Sequence, residues 1–183
     1  MNKIFYIILT FIVVFIVYGV VNEINKETTK KEKRLPCQKE TTTFEKIDNK
    51  HLIDEAINLL TSGNFLIKSR IEKATYMESK ILNYISTKKA DLILKNSINK
   101  YIKNKNSMDK KLLIDYYILE NDKEDIGKKG TTCKLYAGYL VFEFKLDDKL
   151  IYKIQIDFMK QDTSDIPNRI DCVIKSFITL KGK

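Results

Sequence analysis

The spacing of apolar side chains changes character along the chain, and each change marks a boundary. Residues Ile4 to Val21, IFYIILTFIVVFIVYGVV, are eighteen positions without a charge. As a helix rising about 1.5 Å per residue they would span about 27 Å, close to the roughly 30 Å of a hydrocarbon core. A helix that is apolar on every side does not suit a soluble surface, which needs one polar face. The run is read as an uncleaved single-pass anchor, because the apolar part of a signal peptide is usually about 7 to 15 residues. A cleaved signal peptide, with Val17 and Gly19 at the positions a peptidase inspects, is the alternative.

Residues 22 to 43, NEINKETTKKEKRLPCQKETTT, hold almost no apolar side chains. Such a segment cannot offset the entropy of ordering, so it reads as a flexible charged stalk. From 48 the period becomes helical. Leu52, Ile53, Ala56, Ile57, Leu59 and Leu60 recur at three- and four-residue spacing until Ser62-Gly63-Asn64 ends the run. Ile67, Ile71, Ala74, Met77, Ile81, Tyr84 and Ile85 form a second helical stripe, and Leu94, Ile98 and Ile102 a third between about 89 and 103. Residues 108 to 119 fit either a short fourth helix or a strand, since LLIDYYIL satisfies both periods.

After the polar loop at 121 to 130 the period falls to two. Leu150, Tyr152, Ile154, Ile156 and Phe158 alternate with Lys153, Gln155 and Asp157, which predicts a half-buried strand over 149–160. Residues 132 to 146 pair with it across a hairpin at Asp147-Asp148, with a bulge expected at Gly138 to reconcile two apolar phases. Residues 169 to 180, with Ile170, Cys172, Ile174, Ile178 and Leu180 inward, read as a third strand.

The fold expected is therefore α+β: an anchor over 1–21, a stalk over 22–43, and a globular domain over 44–183. In that domain three or four helices would cover one face of a C-terminal antiparallel β-meander. Helices followed by a curved sheet resemble, in topology alone, the cystatin-like and nuclear-transport-factor-like folds.

Composition alters this picture little. The net charge of +9 comes from 33 basic residues, but arginine occurs only at 34, 70 and 169. Guanidinium groups read phosphates and guanine edges bidentately and lysines do not, so nucleic acid is not expected as a partner. Orientation in the membrane is in conflict. The lysines at 26, 30, 31, 33 and 39 with Arg34 would hold the following domain in the cytoplasm, whereas a three-residue N-terminal tail favours export. Export to the periplasmic or extracytoplasmic side is the reading adopted, with a cytoplasm-facing domain as the alternative.

Candidate chemistry is sparse. His51, the only histidine, stands at a helix start beside Lys50 and has no second histidine or spaced cysteine with which to bind metal. Gly127-Lys-Lys-Gly130-Thr-Thr lacks the spacer and the Gly-Lys-Ser/Thr ending of a phosphate loop. The acids Asp122, Glu124 and Asp125, and Asp162 and Asp165, do not have calcium-loop spacing and read as solvated turn residues. In a simple meander Cys133 and Cys172 would lie more than about 7 Å apart, too far to bond. Cys172 then reads as a small buried apolar residue, and the disulfide state of Cys37, Cys133 and Cys172 stays open.

No catalytic, cofactor-binding or metal site is assigned from these residues, and no enzymatic activity is expected. The function expected is a membrane-anchored, non-enzymatic binding or assembly module in an envelope complex. It would hold a protein partner or a small apolar ligand, and its plan of anchor, tether and domain resembles that of nuclear-transport-factor-like domains on single anchors in the inner-membrane components of type IV secretion systems. The alternative is an immunity or inhibitor protein that neutralises a toxin or hydrolase, and a carboxylate-based hydrolase ranks below both. Oligomerisation stays open.

The alternation over 149–160 generates a direct test. Truncating Ile156 to Ala should cost about 2–5 kcal/mol in urea unfolding, and Gln155 to Ala within about 0.5 kcal/mol. Equal losses would mean that both sheet faces are covered.

Overall fold

A computed structural model describes residues 33–127 and 135–182. Leu35–Lys183 forms one compact unit. The apolar run at 4–21, expected to cross the membrane, lies outside the described residues. Among those described, no helix is long and apolar enough to span a bilayer.

The unit is α+β, with three helices packed on a five-stranded mixed sheet. In chain order it runs through a 3-10 turn (Pro36–Lys39), β1 (Thr43–Ile47), α1 (Ile53–Thr61), β2 (Phe65–Glu72), α2 (Thr87–Asn99), β3 (Leu112–Glu120), β4 (Gly138–Leu146), β5 (Lys149–Phe158) and α3 (Ile166–Ile178). The strands lie in the order β1-β5-β4-β3-β2. Only β2 and β3 run parallel, joined by the crossover through α2, and the other neighbours are antiparallel.

The expectation of helices first and a meander afterwards is corrected on several points. The second helical stripe, 67–85, is a strand followed by a long loop. Ile67 and Ile71 are four residues apart, a spacing that fits two strand periods as well as one helical turn, and pairing with β3 selects the strand. Residues 112–120 settle the open choice at 108–119 as a strand. Residues 169–180, expected as a third strand, lie within and just beyond a helix. Ile166, Ile170, Val173, Ile174 and Phe177 make one apolar stripe at helical spacing, started by Pro167 in the first turn. Strands and helices thus interleave, with a parallel pair in the sheet, and the cystatin-like and nuclear-transport-factor-like outlines do not describe the order.

Other expectations hold. The helical run ending at Ser62-Gly63 is α1, and Gly63 closes it in the left-handed region at φ +80°. The third predicted helix is α2, capped by the Ser86 side chain, which accepts from the Lys89 amide. The Asp147-Asp148 hairpin forms with both residues at positive φ, as a two-residue turn of that hand requires. The bulge lies between Phe144 and Lys145 rather than at Gly138.

One core joins the three helices to one face of the sheet. At its centre Phe177 of α3 stacks on Phe144 with ring centroids 4.0 Å apart, and Tyr116 stacks on Phe142 at 4.6 Å. The buried Tyr116 hydroxyl donates to Asp91 Oδ1 at 2.8 Å. The opposite face carries charge. Asp115 and Glu143 stand directly across from each other, a destabilising pair on its own. Lys145 Nζ bridges them at 3.4 and 2.6 Å, and Lys153 adds a 2.7 Å contact to Glu143.

The folded unit begins earlier than the stalk boundary placed at 43. Cys37 is bonded to Cys172 of α3, with Cα atoms 5.9 Å apart. Gln38 is fully buried and donates to Ser176 Oγ at 2.9 Å. Arg169 Nη1 reaches Glu40 Oε2 at 3.0 Å. Cys172 is therefore buried as expected, but as half of a disulfide, because a helix presents it to the N-terminal segment. Cys133 lies outside the described residues.

Cross-linking positions 135 residues apart in sequence removes much chain entropy from the unfolded state. Reduction, or Cys37→Ser, should lower unfolding free energy by roughly 2–5 kcal/mol. A urea midpoint unmoved by reductant would show that the bond does not form in solution.

Candidate functional site

At the end of the sheet where β3 finishes, the apolar alternation of that strand is broken. Leu112, Ile114, Tyr116 and Ile118 face the core, and the next position in the same phase is Glu120, also buried. A carboxylate there needs partners, and the loop after β2 supplies them. Glu120 Oε1 accepts the amides of Lys80 and Ile81 at 2.9 and 3.1 Å, and Oε2 accepts that of Ala74 at 3.1 Å. Asp122, buried as well, accepts the amides of Thr75 at 2.6 Å and of Tyr76, and Glu124 N at 3.2 Å. Two carboxylates thus do for residues 74–81 what a strand partner would do for a ladder.

Burial alone would raise the Glu120 pKa. The neighbouring Ser79 hydroxyl and the amides of Lys80, Ala74 and Ile81 favour the anion more strongly and hold it below its ordinary value. Asp157, on the charged face near the end of β5, behaves in the opposite way, with burial raising its pKa.

The loop held in this way walls a cleft of about 300 Å³. Its apolar lining includes Met77, Ile81, Tyr84, Ala137 and Phe158, and Lys80, Lys123 and Glu124 are among its polar residues. Gly138 permits the closure. A Cβ on it would lie 2.1 Å from the Leu119 carbonyl oxygen and 2.5 Å from the Phe158 ring. The β4 backbone can approach β3 and Phe158 this closely only without a side chain.

The residues weighed from sequence are scattered. His51 lies exposed in the 3-10 turn Lys50–Leu52 and does not line this cleft. Of the Gly127–Gly130 loop, only Gly127 is among the described residues. The acids 122, 124 and 125 do not act together: Asp122 holds backbone, Glu124 lines the cleft, and Asp125 accepts the Gly127 amide at 2.8 Å. Asp162 is a turn residue that accepts from Ser164 N. Asp165 is buried, accepts Met159 N at 2.8 Å, and lies 3.5 Å from Arg169 Nε. The solvated-turn reading therefore fails for Asp122 and Asp165. Among the described residues, no group of three or more histidines, cysteines or acids is placed to hold a metal ion.

Sequence reasoning missed Glu120, and it singled out Gly138 for a bulge rather than for the close approach of β4 to β3 and Phe158. The signal for Glu120 was present, as a carboxylate in phase with four apolar residues of a strand. Comparison with protein-family models, curated proteins and solved structures finds no match for the chain.

Glu120→Gln puts an amide donor among three backbone donors. It should cost about 1–3 kcal/mol at neutral pH. Because the folded-state pKa is lowered, the stabilisation from Glu120 is present above the unfolded value of about 4.3 and is lost as pH falls through the folded value. The gap between wild type and variant, read by urea unfolding, should be full at pH 7 and shrink below about pH 4. A gap independent of pH would mean that the carboxylate's charge plays no part.

Proposed function

We propose that the folded unit is a non-enzymatic binding module, held at a membrane by residues 4–21 and working on the extracytoplasmic side within an envelope assembly. The observation that carries this reading is the cleft at the end of β3. Its apolar floor opens to solvent, and its buried carboxylate is committed to backbone amides, so it offers contact surface rather than a free acid and base. The loops at the same end of the sheet expose Tyr76, Leu82, Tyr84 and Met159, with Tyr76 61% accessible. Clustered exposed apolar side chains mark surfaces that a partner covers.

The volume of about 300 Å³ is at the lower limit for small-molecule sites. A short apolar segment of a protein partner, laid across Tyr84 and into the cleft, suits it better than a drug-sized ligand. The Cys37–Cys172 bond supports placement outside the cytoplasm, since structural disulfides persist mainly in oxidising compartments.

Photo-crosslinking from position 84 in intact cells tests the reading. One discrete envelope adduct is expected from position 84, none from position 88 on the exposed side of α2, and full-length protein should stay in the membrane pellet after alkaline carbonate extraction. Identical adducts from both positions, or a hydrolytic activity of the purified chain abolished by His51→Ala, would overturn it.

A further inference from the structure

The opposite end of the sheet carries different chemistry. The connection from α2 to β3, residues 100–111, holds five lysines and one aspartate. The described residues contain 25 basic and 21 acidic side chains, a surplus of four, and this one segment has a surplus as large. Two of the five lysines are matched, Lys110 with Glu55 and Asp147 and Lys100 with Asp171, as Lys145 and Lys153 are with Glu143 on the sheet.

Lys95, Lys105 and Lys111 are different. All three line one cleft of about 460 Å³, no acidic residue lines it, and none of the three has a carboxylate within ion-pair distance among the described residues. Asn99 and Ser107 add neutral donors, while Phe65 and Ile102 supply an apolar wall.

The backbone around this cleft is fixed. Asn64, 2% exposed, donates to the Asn106 carbonyl at 2.6 Å and accepts the Met108 amide at 2.9 Å. Lys103 N donates to the Thr61 carbonyl at 3.1 Å. The loop that carries Lys105 and Lys111 is thus tied to the end of α1 and the start of β2, and these two residues line a formed concavity together with Lys95 of α2.

We propose that this cleft binds the phosphate of an organic phosphate. Charge counting selects the class: a carboxylate brings one negative charge to three ammonium groups, whereas a phosphate monoester brings about 1.5 to 2 and three acceptor oxygens. Phe65 and Ile102 then take the organic substituent, and the volume falls in the range of small-molecule sites. A soluble phosphate monoester and the monoester headgroup of phosphatidic acid share this chemistry. The proposal is independent of the binding module read at the other end of the sheet.

The test uses residues 33–183, which contain the whole core and the disulfide. Its amide spectrum is titrated with glycerol 3-phosphate, and the same protein is sedimented with phosphatidylcholine vesicles that contain or lack phosphatidic acid. Saturable shifts at Gly63, Asn106 and Ser107 are expected, or retention only on vesicles that contain phosphatidic acid if the source is a headgroup. Lys105→Gln with Lys111→Gln should weaken whichever binding is seen by about tenfold or more. Lys88→Gln with Lys160→Gln removes the same charge at distant exposed sites and should change it by less than about twofold. Equal weakening by both pairs would show a response to net charge alone and overturn the proposal, as would saturation by neither probe.

Discussion

The structure depends first on burying α3 against the apolar face of the sheet. Eight of its thirteen residues are buried, and the stack of Phe177 on Phe144 places its last turn over the two longest-paired strands. An antiparallel sheet with one apolar face is not stable alone and needs helices over that face. Other elements are positioned through α3. Asp171 accepts from Ser97 of α2 and from Lys100 just beyond its end, and burial, which would raise its pKa, is outweighed by Lys175, Lys100 and Ser97, which hold it below its ordinary value. Cys172 and Ser176 on another side hold the N-terminal segment. A change in the tilt of α3 would therefore be felt in α2 and in residues 37–40 together.

The same dependence explains why residues with little apolar character are ordered. Residues 35–43 have no core-forming pattern, and composition alone makes them a tether. Residues 35–40 are held by contacts to α3 that include one covalent bond, one buried hydrogen bond and one ion pair, and residues 42–43 by backbone pairing with β5. A contact worth about 1 kcal/mol cannot order nine residues against roughly 1–2 kcal/mol of backbone entropy each. A disulfide can, because it acts chiefly on the unfolded chain.

How much was legible follows from period and phase. The strand at 149–158, its hairpin and α1 were readable because their apolar positions fit one period only. The second stripe and the C-terminal segment were misread because spacings of four and eight satisfy strand and helix alike. In the C-terminal segment Val173 and Phe177 carry the distinction, being consistent with 3.6 and inconsistent with 2. The disulfide could not be reached from a geometry that treated Cys172 as part of a strand. In the cleft, Ile81 and Phe158 were readable as apolar. The roles of Glu120 and Asp122 depend on a loop whose path no local pattern encodes, and Gly138 on how closely two strands and one ring approach.

Both ends of β3 illustrate how position decides what a charged side chain does. At its C-terminal end the carboxylates are buried, and the nearest uncommitted donors are backbone amides, so charge is spent on holding a loop and the surface left over is apolar. At its N-terminal end an amide side chain, Asn64, does the holding. A neutral group satisfies the backbone there as well as a charged one could. Because the structural work needs no charge at that end, Lys95, Lys105 and Lys111 are not drawn into ion pairs as Lys110 is, and their positive field stays available to solvent. One strand therefore separates an end where ionised groups serve folding from an end where three of them are left to solvent.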